Sequence, residues 1–203
     1  MKRVLDFIFS ALLILMLIPI FIIIVIIIKL TTTDSPIFKQ QRVGKDNKVF
    51  VIYKFRTMKA NTPNVATYLL KNPNDYLTFI GKILRKTSLD ELPQLMNILK
   101  GDMSFVGPRP VISEEKELIR LRTDAGVHKL VPGLTGWAQV NGRDALMMHD
   151  KVRYDKYYLD NQSLWLDIYI VIITFYKVLK NEGVIEGNKV PEALVQKNNI
   201  KID

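Results

Sequence analysis

Residues 7–28 read F-I-F-S-A-L-L-I-L-M-L-I-P-I-F-I-I-I-V-I-I-I, an apolar run broken only by Ser10 and Pro19. As an α-helix these 22 residues reach about 33 Å, enough to cross the hydrocarbon core of a bilayer. The run is too long for the h-region of a signal peptide, and no small-x-small cleavage site follows it. A chain of 203 residues cannot wrap such a helix on every side, so membrane insertion is expected over burial in a soluble core.

Lys2 and Arg3 precede the run, and Lys29, Lys39, Arg42, Lys45 and Lys48 follow it. The positive-inside tendency puts the second flank in the cytoplasm and gives no reason to send the first one out. Pro19 removes one backbone donor and its ring clashes with the carbonyl of Leu15, so a kink is expected there. A re-entrant helix that dips in, bends at Pro19 and returns satisfies both flanks. A Pro-kinked single span is the alternative, because spanning helices tolerate proline.

The length suits one domain rather than two. Lys and Arg total 29 against 20 Asp and Glu, a formal charge of +9 that implies an anionic partner: nucleic acid, an acidic membrane face or a phosphorylated substrate. A hydrophobic share of 48% argues against a disordered basic protein. The absence of cysteine excludes disulfides and thiolate metal sites.

Beyond the apolar run, residues 36–41 and 49–56 read as two strands joined by the turn Gly44-Lys45-Asp46-Asn47. In the second, Val49, Val51, Tyr53 and Phe55 share one face, and Phe50, Ile52, Lys54 and Arg56 share the other. That second face changes from apolar to cationic along its length. It reads either as a solvated edge or as a phosphate-facing end. Residues 59–75 read as a surface loop. A helix is expected over 78–86 with Thr78 as its cap, and another from Ser88 to Gly101 with Leu92, Leu95, Met96 and Leu99 on one face. Ser113 with two glutamates marks a further start, continuing through Leu118 and Leu121 to Gly126. Trp137–Val140 reads as a short strand before an Asn141-Gly142 turn. Residues 164–179 form an amphipathic helix, either at the membrane surface or packed in the core. The tail after Asn188 is polar and expected to be loose.

The chemistry concentrates in residues 87–110, T-S-L-D-E-L-P-Q-L-M-N-I-L-K-G-D-M-S-F-V-G-P-R-P. Asp90 and Glu91 stand side by side near a helix start, with Asp102 and Arg109 downstream. Ser88-x-x-Glu91 fits a capping box, in which Glu91 only returns a bond to its own cap. Pro93 complicates that reading, since proline is welcome only at the first helical position. Consecutive helical residues diverge by about 100°, so the two acids cannot do one job. One suits a nucleophile or metal ligand, and its neighbour suits orientation or proton acceptance. Prolines on both sides of Arg109 fix its backbone for bidentate phosphate binding. Neither Walker nor dinucleotide glycine spacing occurs. His128 and His149 lack partners at metal-ligand spacing and read as surface or packing residues.

Five motifs in order resemble one family: Arg3 to Asp6, Tyr53 to Met58, Ser88 to Leu92, Lys100 to Pro110, and Pro132 to Arg143. The sequence is similar to the bacterial sugar transferases, the monotopic phosphoglycosyl transferases, at close to their minimal catalytic size. The match runs from the N-terminus to about Gly183. The resemblance implies transfer of a phosphosugar from a UDP-sugar to polyprenyl (usually undecaprenyl) phosphate with release of UMP. This would be the first membrane step toward an O-antigen, capsule, exopolysaccharide or glycoprotein glycan. It implies Asp90 as a nucleophile forming an aspartyl-phosphosugar intermediate, which divides one displacement between polyanions into two steps. Glu91 would assist through a proton or through Mg2+, with Asp90 and Glu91 as the metal ligands. Arg109 is the first phosphate clamp, followed by Lys54, Arg56 and Arg143, and Asp155 and Asp167 match family acids. Three departures from the family pattern leave the acids untouched: Ile18-Pro19 for Ser-Pro, Arg42-Val43-Gly44 for Arg-Pro-Gly, and Asp144 where Asn is frequent.

The expected fold is therefore α+β and mostly helical. Residues 1–30 form a re-entrant membrane helix, 31–187 a cytosolic catalytic domain with a small β-hairpin and interfacial helices, and 188–203 a loose tail. The expected place is the cytoplasmic face of the bacterial inner membrane, against anionic lipid, with downstream glycosyltransferases as further partners. The rival is a non-catalytic, membrane-tethered basic module binding anionic lipid or nucleic acid. It accounts for the charge and the apolar run but not for the paired acids or the proline-framed arginine. The scattered basic residues do not form the stripe a nucleic-acid binder needs, so no nucleic acid partner is expected.

Overall fold

The computed structural model describes residues 1–59, 62–63, 72–142 and 146–180. The loop expected over 59–75 lies largely outside these residues, and Arg143 and the tail after Asn188 lie wholly outside them. Helix α1 (Lys2–Thr31) is followed by an antiparallel hairpin, β1 (Ile37–Val43) and β2 (Val49–Phe55), then by α2 (Pro73–Tyr76) and α3 (Phe79–Lys86). A 3-10 turn (Leu89–Gln94) leads into α4 (Leu95–Lys100), β3 (Ser104–Val106) and α5 (Lys116–Asp124). β4 (Gly133–Thr135), α6 (Trp137–Val140), α7 (Met148–Asp160) and α8 (Leu164–Leu179) complete the order. The fold is mostly helical with a small hairpin, as the sequence implied.

Helix α1 lies against the rest of the protein along its whole length. Asp6, Ser10, Ile24 and Ile28 are buried. Leu13, Ile14 and Leu17 pack on Ile52, Leu95, Ile98 and Met103, while Phe21 and Val25 join Phe55 and Leu84. These contacts recur every three or four residues, the period of one helix face. Phe9, Leu12, Leu15, Met16, Ile22, Ile23 and Ile26 on the remaining faces stay exposed. The helical run continues through Pro19.

Polar anchors fix the N-terminal end. Arg3 donates to the carbonyls of Ile98 and Leu99 at the C-terminus of α4, where a cation favours the exposed carbonyls and the negative end of the helix dipole. Gly101 ends α4 at φ +97°, and a Cβ there would come within 2.9 Å of the Arg3 guanidinium. Glycine thus serves both the left-handed backbone and the approach of the arginine. Asp6 accepts from the Phe105 N–H (3.2 Å), and Lys2 pairs with Asp167 on α8.

The hairpin pairs Ile37 with Phe55 through Val43 with Val49, in the expected place. Its free edge is closed by a side chain: Asn97, fully buried on α4, donates to the Val51 carbonyl (2.7 Å) and accepts from the Tyr53 N–H (3.1 Å). Ile52 and Phe50 face α4. Val49 and Val51 are exposed on the opposite face, which becomes buried only at Phe55.

Thr78 caps α3 as expected, accepting from the Gly81 N–H (3.0 Å). Two other local readings are corrected. Residues 137–140 are a helical turn, and the strand is Gly133–Thr135, which pairs parallel with β3. A four-residue apolar stretch fits either period. What decides is close backbone packing, since a Cβ on Gly136 would lie 2.1 Å from the Gly107 carbonyl oxygen. Helix α5 starts at Lys116 rather than Ser113, because Val111 is bridged to Val43 and the chain must turn before the helix can begin. Its buried positions are Leu118 and Arg122.

Helix α8 packs one side into the core and leaves an apolar side exposed. Ile170 is buried against Val106, Val140 and Tyr158, while Trp165, Ile172, Phe175 and Leu179 are exposed. Trp137 stacks on Tyr157 beside it, with centroids 5.7 Å apart.

Candidate active site

Three segments meet at one carboxylate oxygen. Glu91 Oε1 accepts from Lys54 Nζ at 2.8 Å and from Arg109 Nη2 at 2.9 Å. Lys54 comes from the end of β2, Glu91 from the 3-10 turn, and Arg109 from the Gly107–Pro110 segment. Asp90 lies next to Glu91, buried, and among the described residues its carboxylate accepts no hydrogen bond.

Local backbone explains why both acids point into one site. Ser88 sits in the left-handed region (φ 57°, ψ 15°), which costs a non-glycine residue strain and turns the chain sharply after α3. The capping box expected at Ser88 is therefore not formed. Its side chain makes no cap bond, and Glu91 meets it only through the Glu91 N–H to the Ser88 carbonyl (3.2 Å). The Glu91 side chain is taken by the two cations instead. Pro93 is accommodated because α4 begins only at Leu95, after the proline.

Electrostatics separate the two acids. Burial pushes the Asp90 carboxyl above its usual range and Glu91 adds to the rise, while Lys54, Arg85 and Arg109 oppose it. Burial acts the same way on Glu91, but Arg109 and Lys54 outweigh it and hold that carboxyl well below the usual carboxylate range. Lys54 is itself lowered by burial, against the pull of Glu91. Burial, followed by the charge of Arg109, brings Arg42 down to about 10. Glu91 is thus a fixed anion with its charge spoken for, and Asp90 is a buried carboxyl that accepts no hydrogen bond among the described residues.

Of the other residues singled out from sequence, Arg56 donates to the Ser35 carbonyl (2.7 Å) and lies over the Phe38 ring, so it is not placed with the acids. Asp102 is exposed. Asp155 is buried against Arg122, and Asp167 binds the Tyr158 hydroxyl (2.6 Å) and Lys2. Neither acid touches Asp90 or Glu91 directly among the described residues. Arg143 lies outside the described residues. His128 borders a small cavity beside Arg109, and its Nδ1 is buried without a hydrogen bond among the described residues.

Sequence reading missed Arg85, Arg42 and Arg122. Arg85 donates to Thr57 (3.0 Å), and its charge acts on Asp90. Arg122 carries a readable signal, an arginine four residues after Leu118 on the inward face of a helix.

Among the described residues, no three or more His, Asp or Glu side chains gather to form a metal cage. Mg2+ needs none, since it is commonly held by one or two carboxylates together with substrate phosphates. The open oxygens of Asp90 and the second oxygen of Glu91 fit that kind of site.

Glu91→Gln is expected to leave Lys54 and Arg109 without their shared anion. Breaking a buried pair costs about 3–5 kcal/mol, and the low end applies because Arg109 is one-third exposed. Since the Glu91 carboxyl is depressed on folding, its stabilisation holds above the usual carboxylate range and is lost as pH falls through the depressed value. Thermal unfolding in detergent should show a lower Tm for the variant at neutral pH, with the gap closing in strong acid. An unchanged Tm at neutral pH would contradict the shared-anion reading.

The sequence as a whole now has a context. Residues 1–181 match the family model described as bacterial sugar transferase. An uncharacterized sugar transferase of Bacillus subtilis, EpsL, is 45% identical over 158 residues, covering 77% of this chain and 76% of that protein. The undecaprenyl-phosphate galactose phosphotransferase of Salmonella typhimurium is 40% identical over 200 residues. A UDP-glucose:undecaprenyl-phosphate glucose-1-phosphate transferase of Escherichia coli is 39% identical over 191. Each of these two matches covers 90% of this chain but only 41% of the relative, so the chain spans under half their length. The five ordered motifs, the site they build and the family match agree: the chain belongs to the bacterial sugar transferases.

Proposed function

We propose that this chain moves a phosphosugar from a UDP-sugar to a polyprenyl phosphate such as undecaprenyl phosphate, releasing UMP, through a covalent intermediate on Asp90. One observation carries the reading. Asp90 is a buried carboxylate with no hydrogen bond among the described residues, beside a Glu91 whose charge is already matched by Lys54 and Arg109. A structural acid at that depth would be expected to be paired. The names of the Salmonella and Escherichia relatives support the substrate classes.

In the first step an Asp90 oxygen attacks the phosphorus that bears the sugar. The bond from that phosphorus to the bridging diphosphate oxygen breaks, and UMP leaves with the electron pair. In the second step an oxygen of polyprenyl phosphate attacks the same phosphorus. The lipid diphosphosugar forms, and Asp90 is released as a carboxylate. Arg109 and Lys54 face the transferring phosphoryl oxygens, Glu91 holds both cations in place, and the charges of Lys54, Arg85 and Arg109 oppose the rise that burial imposes on the Asp90 carboxyl. Mg2+, held by Asp90 and Glu91 with the diphosphate, would lower the repulsion between an anionic nucleophile and an anionic substrate.

The reaction joins a soluble donor to a membrane-bound acceptor. We read α1 as a re-entrant anchor on the cytoplasmic face. Both of its ends are held by the same body, at Lys2 and Arg3 and again at Ile24 and Ile28. A crossing path would drag part of that body into the bilayer. The exposed apolar side chains of α8, with Phe79 on α3, suit the headgroup level, and the +9 charge suits anionic lipid.

Detergent-solubilised protein given UDP-sugars, Mg2+ and polyprenyl phosphate should release UMP. Asp90→Asn should lose at least 1000-fold in rate, on the order of other lost nucleophiles, and EDTA should stop the wild type. Full activity in the variant, or in EDTA, would contradict the mechanism. For topology, single cysteines placed at Lys2 and Lys45 should react with an impermeant reagent from the same side of the membrane. Labelling from opposite sides would establish a span.

A further inference from the structure

The segment that carries Arg109 is poor in donors. Pro108 and Pro110 have no N–H, so the segment is held mainly through its carbonyls. Four consecutive carbonyls are occupied. Pro108 accepts from the Gly133 N–H (2.9 Å), Arg109 from Arg122 Nη1 (2.8 Å), Pro110 from Arg42 Nη1 (3.4 Å) and Val111 from the Val43 N–H (2.8 Å).

The Arg109 link is built on a buried charge. Arg122 on α5 donates its Nε (3.0 Å) and Nη2 (2.7 Å) to one oxygen of Asp155 on α7, leaving Nη1 for the Arg109 carbonyl. Asp155 is 1% exposed and Arg122 9%. Burying such a pair is a poor way to gain stability, since apolar side chains of similar volume usually do as well or better. A rigid planar fork that faces a carboxylate on one side and one carbonyl on the other does supply direction. From that carbonyl, the Arg109 side chain reaches Glu91 Oε1 beside Asp90.

We infer that Asp155 and Arg122 are positioning residues for Arg109, acting on the site through its backbone carbonyl and not by touching substrate. The inference rests on the proposed role of Arg109 as a phosphate clamp. The pair orients the guanidinium before the diphosphate arrives, so that its binding costs little rearrangement.

A double-mutant cycle between positions 155 and 109 separates positioning from simple gluing of α5 to α7. Two readouts are used: kcat/KM for UMP release, and UMP affinity measured by calorimetry without turnover. Asp155→Asn alone should lower kcat/KM and UMP affinity by roughly 10-fold or more, the scale of a small misplacement of a clamp. In the Arg109→Ala background the same change should alter either quantity by less than about twofold. Full additivity, or a wild-type value for Asp155→Asn alone, overturns the inference. If Asp155→Asn does not fold, Arg122→Lys enters the same cycle with the same expectations. Failure of turnover alongside a non-additive cycle in UMP affinity would count against the transfer reaction alone. Normal turnover with an additive cycle would count against the positioning role alone.

Discussion

The site depends on one oxygen. Glu91 Oε1 binds Lys54, 37 residues upstream, and Arg109, 18 residues downstream, so a strand end, a 3-10 turn and a proline-framed segment converge on one charge. Three ionic groups in a buried place are costly unless they satisfy one another. Here they do, and the arrangement frees Asp90. Both acids share the same burial, but the cations are bonded to Glu91 and only near Asp90. The two carboxyls are thus driven in opposite directions, the environment-set division of roles by which paired acids are given separate jobs.

The rest of the fold serves to bring those three segments together. Asn97 closes the free edge of β2 and so fixes the strand that carries Lys54. The left-handed Ser88 turns the chain so that Asp90 and Glu91 follow α3 directly. Close approach of Gly107 to Gly133 and Gly136 sets the height of the Arg109 segment. Helix α1 binds to this assembly through Arg3 on α4, Asp6 on β3 and Lys2 on α8. The apolar N-terminal helix and the site therefore share their supports: α4 holds both Arg3 and, through Asn97, the Lys54 strand.

Much of this was legible in the sequence, for physical reasons that differ by element. The hairpin was readable because alternation and a Gly-Lys-Asp-Asn turn coincide, and Thr78 because a hydroxyl before an apolar stripe is a local signal. Asp90, Glu91 and Arg109 stood out because paired acids and a proline-framed arginine make poor sense as packing, and Lys54 because its strand face turns cationic; the fold brings Lys54 and Arg109 onto Glu91. The packed face of α1 was not readable, since a helix apolar all round has no moment to point with. The capping box misled because Ser88 and Glu91 have the right spacing, and only the fold shows that stronger partners claim the glutamate. Arg56 was placed with Lys54 by strand alternation and by the family resemblance, yet it lies one residue beyond the strand and turns toward Ser35. Asp155 was seen as an acid without its partner, because Arg122 is 33 residues away in sequence. Tertiary pairings of that range leave no local trace.

The central claim is that Asp90 carries the phosphosugar, and the direct measurement is to catch it there. Protein incubated with Mg2+ and a UDP-sugar, without lipid acceptor, should be quenched, digested and read by mass spectrometry. The account predicts one added sugar phosphate on the peptide containing Asp90, absent from Asp90→Asn and discharged when polyprenyl phosphate is added. The adduct on any other residue, or transfer to the lipid at full rate by Asp90→Asn, would contradict it.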